Sequence, residues 1–234
     1  MVDVLLFSCG IDSLSAWFFM KKPKCIYMDL NTPYSKKEMV TIKKLENLIP
    51  DLKVEIIKGI NLGQFEKGDK AFISNRNLIL AAIACNYGNR IIIGGIEDDC
   101  VEDKCPKAFN AMSLCLETIA KKPSPIIEVY SPFWSVSKSE IIQWMLEHVE
   151  NVKQILRTSV SCYSEDLGQC GDCPSCLRKA VAFEACGLNL DFFKKDVTRC
   201  SLIIQYIKDM KAGNYTEKRT KETLAVFKKW GWPI

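Results

Sequence analysis

Residues 8–13, Ser8-Cys9-Gly10-Ile11-Asp12-Ser13, bring together hydroxyls, a glycine and a carboxylate. They lie directly after an apolar run over residues 2–7 and before a segment of helical composition over residues 14–20. In a strand–loop–helix unit the backbone N–H groups of such a loop and the positive end of the helix converge on one point, where an anion binds. The hydroxyls of Ser8 and Ser13 add donors for phosphate oxygens, and the Asp12 carboxylate suits holding Mg²⁺ against them. No Gly-Lys-Ser/Thr follows, so this is not a Walker loop. Without a ligand, the same residues read as a polar turn with Ser13 as helix N-cap.

A second stretch, Cys162-x₇-Cys170-x₂-Cys173-x₂-Cys176, holds four thiols interleaved with Gly168, Gly171 and Pro174, which permit tight turns. Four thiolates suit tetrahedral Zn²⁺ in a structural role. The x₂ spacing also suits an iron–sulfur cluster, and buried thiols or disulfides are the bland alternative; zinc is the favoured reading. The N-terminal residues have no basic segment and only a short apolar run, so neither a signal peptide nor a membrane span is expected. A cytoplasmic, reducing setting then favours metal binding over disulfides. The other cysteines, Cys9, Cys25, Cys85, Cys100, Cys105, Cys115, Cys186 and Cys200, lack ligand spacing and are expected to be mostly core residues.

The elements that must position these groups alternate. Strands are predicted over residues 24–29, 54–58, 90–94 and 126–130, the 90–94 run (RIIIG) being of the kind buried on both faces. Helices are predicted over 35–49, 76–87, 106–120 and 137–148, the last opened by Ser137 with Glu140 three residues on. The alternation implies an α/β fold with a doubly wound parallel sheet. After about residue 151 the pattern changes to a cysteine-rich stretch and helices near 201–210 and 216–230. The expected organisation is an α/β domain over 1–150 and a helical zinc-knuckle region over 151–234 packed on it. His148, the only histidine, sits late in a helix and is given a bland role.

Hydrophobic residues at 48% and charged residues at 26% belong to a globular chain rather than a disordered or fibrous one. The net charge of +4 suits a phosphate-bearing ligand and does not imply nucleic acid.

The 8–13 loop resembles the SGGxDS pyrophosphate loop of the ATP-pyrophosphatase superfamily, whose members adenylate a substrate and release pyrophosphate, with Cys9 standing at a family glycine, which is expected to put a Cβ beside the phosphates. Together with the knuckle it is similar to the 7-cyano-7-deazaguanine synthase (QueC) family, over roughly residues 4–185. Phe72-Ile73-Ser74-Asn75-Arg76-Asn77 resembles the family's F-V-P-x-R-N segment, and Gly94-Gly95-Ile96-Glu97-Asp98-Asp99 its G-V-x-x-x-D loop. Cys105 with Phe109 matches D-C-R-x-x-F, and Ser131-Pro132-Phe133 through Lys138-Ser139-Glu140 matches T-P-L…K-x-E. The departures are residues 29–34, in place of D-Y-G-Q, and Lys104-Cys105-Pro106, in place of D-C-R.

The resemblance implies a Rossmann-like, adenine nucleotide alpha hydrolase-like fold. It implies ATP and Mg²⁺ held by Ser8, Cys9, Gly10, Ile11, Asp12, Ser13, Arg76, Asn77 and Gly94, catalytic roles for Asp12, Ser13 and Lys138, and Zn²⁺ on Cys162, Cys170, Cys173 and Cys176. The implied activity is that of an ATP-dependent carbon–nitrogen ligase taking 7-carboxy-7-deazaguanine and ammonia to 7-cyano-7-deazaguanine (preQ0). No membrane or nucleic-acid partner is expected. A homodimer is, from the family tendency and from Trp230 and Trp232 read as exposed. Three alternatives share these residues: the same fold adenylating another substrate or stopping at the amide, a nucleotide- or deazapurine-binding protein with catalysis blunted by Cys9, and, ranked last, a zinc-knuckle RNA-binding protein.

Overall fold

Val4 and Leu5 are both fully buried, and strand geometry points them to opposite faces, so β1 (Asp3–Leu6) must be covered on both sides. The same holds along β2 (Lys24–Met28) and β4 (Arg90–Ile93). Cys25, Tyr27 and Ile92 join Leu5 in one apolar cluster, whereas Ile26, Met28, Ile91 and Ile93 join Val4 in another. With β3 (Val54–Ile57) and β5 (Glu128–Tyr130) these form a five-stranded, all-parallel sheet in the order β3-β2-β1-β4-β5. The computed structural model describes residues 1–67, 72–97, 102–120 and 126–234; Asp98, Asp99 and Cys100 lie outside them.

The first face is covered by α1 (Ile11–Phe19), α2 (Ser35–Leu48), α5 (Lys138–His148) and α6 (Val152–Thr158), the second by α3 (Arg76–Ala84) and α4 (Pro106–Ile119). The α/β, doubly wound reading therefore holds. Because β1 pairs with β2 on one side and β4 on the other, the chain reverses direction across the sheet there. A crevice opens at the carboxyl ends of these strands, where such folds bind ligands.

Ser137 and Glu140 form the expected capping box at α5, each side chain closing the other's backbone N–H. The predicted 76–87 helix stops at Ala84 and continues as a turn. Two helices went unpredicted. α6 is short and starts from Asn151 in the left-handed region (φ 54°). α7 (Pro174–Ala185) begins inside the cysteine stretch, with Cys173 as N-cap and Pro174 opening its first turn, where a missing N–H costs nothing.

Packed on α7 are α8 (Ile203–Lys211) and α9 (Glu217–Lys229), through Leu177, Ile203, Ile207 and Phe227. Trp230 and Trp232 are half-buried against this cluster, and the Trp232 indole N–H donates to the Thr198 carbonyl at 2.9 Å. They are not the exposed pair read from the sequence, because the chain folds back after α9. Among the described non-knuckle cysteines, Cys9, Cys25 and Cys200 are buried, while Cys85, Cys105 and Cys186 are only half-buried and Cys115 is exposed. The expectation that most are core residues is corrected to that extent. No helix of the described residues is long and apolar enough to cross a membrane.

Candidate functional site

The 8–13 loop sits at the carboxyl end of β1, with Gly10 in extended conformation as the N-cap of α1. Its carbonyl accepts the first helical bond, from Leu14 N at 3.0 Å, and no side chain caps the helix. Ser13 is thus not the N-cap. Its hydroxyl is buried, donates to the Gly10 carbonyl (3.2 Å) and accepts from Ser8 N (3.2 Å), bracing the loop rather than facing the cleft. Cys9 adopts φ 51°, a left-handed conformation that costs a non-glycine residue about 1 kcal/mol. It turns the side chain into the core, where Sγ lies 3.8 Å from the Val160 carbonyl and Val160 N donates to the Cys9 carbonyl at 3.0 Å. The expected Cβ beside the phosphates is therefore absent. The orphan N–H groups of the α1 start are left for an anion.

Around this loop lies a cleft enclosing about 1430 Å³, part of it open solvent. Ser8, Gly10, Ile11 and Asp12 line it, as do Arg76, Asn77, Gly94 and Lys138. Lys138, from the first turn of α5, donates to both Asp12 oxygens at 2.7 and 2.8 Å. Gly94 follows β4 so close to α1 that a Cβ there would stand 3.2 Å from both Asp12 Cβ and Ser13 N. Gly94→Val is expected to push the loop off β4 and weaken ATP binding at least about tenfold in a calorimetric titration; unchanged affinity would show that this contact does not shape the loop. Asn75, at φ 58°, sets the start of α3 so that Arg76 and Asn77 reach the cleft from the opposite face. Asn77 is buried and its Nδ2 has no partner among the described residues, which leaves a donor for a ligand.

The far wall comes from the cysteine region. The four knuckle sulfurs lie within 4.8 Å of one another, and the N–H groups of Cys170, Asp172 and Cys176 donate to Cys162, Cys170 and Cys173 sulfurs at 3.3–3.4 Å. This is a closed thiolate set compatible with zinc, with amides stabilising its charge. The knuckle directs α7 so that Ser175, Arg178 and Lys179 line the cleft beside Ser161. Lys179 is buried, and burial pulls its pKa down to about 7. Its ammonium donates to the Leu156 and Ser159 carbonyls (2.8 and 2.6 Å), locking the segment that touches Cys9.

A family model described as "Queuosine biosynthesis protein QueC" matches residues 61–187, more than half of the chain. The chain belongs to the QueC family. Curated relatives named 7-cyano-7-deazaguanine synthase agree. That of Methanococcus aeolicus is 27% identical over 80% of this chain and 97% of the relative. That of Desulfitobacterium hafniense is 27% identical over 79% and 93%, and that of Chlorobaculum tepidum 29% identical over 51% and 53%. These names are names of enzymes.

The two segments that depart from the QueC pattern both border the cleft, through Leu30, Thr32 and Tyr34 and through Lys104, whose ammonium donates to the Gly94 carbonyl at 3.2 Å. Cys105 caps α4, its sulfur accepting from Ala108 N at 3.4 Å. His148 stacks on Trp144 away from the cleft.

Sequence reasoning missed several groups of this QueC chain. Arg178 and Lys179 lie on the unpredicted α7. Glu38, in the first turn of α2, was not singled out within the predicted 35–49 helix, yet it lines the cleft and accepts from the Tyr27 hydroxyl at 2.7 Å. Burial pushes its pKa up to about 7, against the hydrogen bond from Tyr27 and the nearby guanidinium of Arg76. The folded state thus holds this proton more tightly than the unfolded chain, whose carboxyl titrates near 4.5. The associated stability is complete below that pH and is lost as pH rises towards 7. Glu38→Gln is expected to gain up to about 3 kcal/mol over the native chain at pH 8 and little at pH 4, by urea denaturation. A variant no more stable at pH 8 than the native chain would sink this assignment.

Proposed function

We propose that this chain converts 7-carboxy-7-deazaguanine and ammonia to 7-cyano-7-deazaguanine at the expense of ATP, as an ATP-dependent carbon–nitrogen ligase. The observation that carries the reading is the braced 8–13 loop at the sheet's switch point, its Asp12 paired with Lys138, in a QueC-family chain.

In this reading the α1 amino terminus and Ser8 bind the phosphates of ATP, and Asn77 and Arg76 hold the nucleotide from the other wall. The substrate carboxylate attacks the α-phosphorus, pyrophosphate leaves, and ammonia displaces AMP from the acyl adenylate to give the amide. A second adenylation, on the amide oxygen, followed by loss of AMP and of the nitrogen-bound protons, gives the nitrile. Lys138 places a positive charge where negative charge develops, and the positioning of the two reactants supplies much of the rate. A single carboxylate, Asp12, plus substrate phosphates is a sufficient ligand set for Mg²⁺, which when bound neutralises phosphate charge.

The test supplies the purified, zinc-loaded chain with ATP, Mg²⁺, ammonium and the acid, and reads pyrophosphate and product mass. The nitrile is the expected product. The amide alone would shorten the proposed reaction by its second step, and no turnover with the acid still bound would replace it by a ligand-binding role.

A further inference from the structure

One carboxylate in the cleft has no task in the chemistry above. Glu38 Oε2 is fixed by the Tyr27 hydroxyl, and Oε1 has no hydrogen-bond partner among the described residues, although the residue lines the cleft. Its neighbours there are flat. Tyr34 and Tyr163 both line the cleft, their ring centroids 5.9 Å apart, one carried at the start of α2 and the other at the start of the knuckle. Leu30 and Thr32 add a largely apolar border from the loop after β2. An aromatic wall, its two rings tilted at 56° to each other, beside a carboxylate that is acceptor-only when ionised suits a planar heterocycle that presents donors along one edge.

We infer that Glu38 reads the N1–H and 2-amino edge of a guanine-type base, and so is a specificity-determining residue for the acid substrate. The inference rests on the proposed function and deepens it. A carboxylate offers two acceptors side by side, the geometry that an adjacent ring N–H and exocyclic amine can fill together. An adenine presents an acceptor next to its amine and fills that pair poorly, which separates the acid's subsite from that of ATP. Tyr27 contributes by holding the carboxylate plane. A ligand donor on Oε1 would complete the hydrogen bonding of this half-buried carboxylate.

The test is calorimetric titration of the full, zinc-loaded chain and of Glu38→Gln with three ligands: 7-carboxy-7-deazaguanine, its analogue lacking the 2-amino group, and ATP. The native chain is expected to bind the acid at least about tenfold more tightly than the analogue, because the missing amine leaves the carboxylate half unpaired. Glu38→Gln is expected to lose at least about tenfold in affinity for the acid and to level the preference, with ATP affinity within about twofold of the native value. A native chain with no preference between acid and analogue overturns the inference, as does a variant that keeps the acid or loses ATP. A variant whose kcat falls while acid binding and preference stay native overturns it too, since Glu38 would then act in proton transfer. A native chain that binds ATP but not the acid fails the proposed function, and the inference with it. Acid binding that is indifferent to Glu38 fails the inference alone.

Discussion

Lys138→Met is expected to lower the rate of ATP-dependent pyrophosphate release by about 10²- to 10³-fold, the range found when one preorganised charge is removed from a developing anion. The two charged side chains are each less than a fifth exposed, so methionine removes the Lys138 cation from the Asp12 carboxylate, which then faces incoming phosphates. Both effects oppose the reaction, and the second also weakens ATP binding. Lys138→Arg, which keeps the charge but replaces a compact ammonium by a planar fork, is expected to recover only part of the rate. Steady-state pyrophosphate assays with thermal unfolding as a control separate these outcomes. A native rate in the methionine variant would remove Lys138 from the chemistry.

Cys173→Ser, or exhaustive chelation, is expected to abolish ATP binding although no cysteine of the knuckle need touch the nucleotide. Cys173 is a member of the four-sulfur set and the N-cap of α7. Structural zinc contributes on the order of 10 kcal/mol to the fold that holds it, comparable with the whole stability of a domain. Without it α7 loses its start, Lys179 releases the Leu156 and Ser159 carbonyls, and Val160 no longer holds Cys9 in its left-handed turn. Elemental analysis, near-ultraviolet circular dichroism and ATP titration should fail together. Full ATP affinity in a metal-free chain would uncouple the knuckle from the site, and stoichiometric iron with visible absorbance would replace zinc by a cluster.

The strands and the loop were legible because their signals are local. RIII reads as a doubly buried strand, Ser137 and Glu140 announce a helix start, and hydroxyls, glycine and carboxylate between strand and helix announce an anion site. The knuckle was legible as four spaced thiols, yet the same glycines, cysteines and proline hid the helix that starts within it. Arg178, Lys179 and Glu38 escaped because each sits on a helix where only packing decides which face meets the cleft. Cys9 misled for the opposite reason. Its type suggested an intrusion among phosphates, whereas a positive φ and the contact with Val160 turn it inward.

The hydrogen bond from Val160 to Cys9 joins residues 151 apart in sequence. A ribosome adds roughly 5–20 residues per second, so a nascent chain forms its first strand and helix several seconds before the partner of that turn is made. Until Lys179 has emerged and the knuckle has closed, the strained turn at Cys9 has nothing to hold it. The sheet is free to assemble first, but the nucleotide site is completed only after the segment carrying Val160 and Lys179 has been made, and a chain released before that point carries a folded core without a working loop.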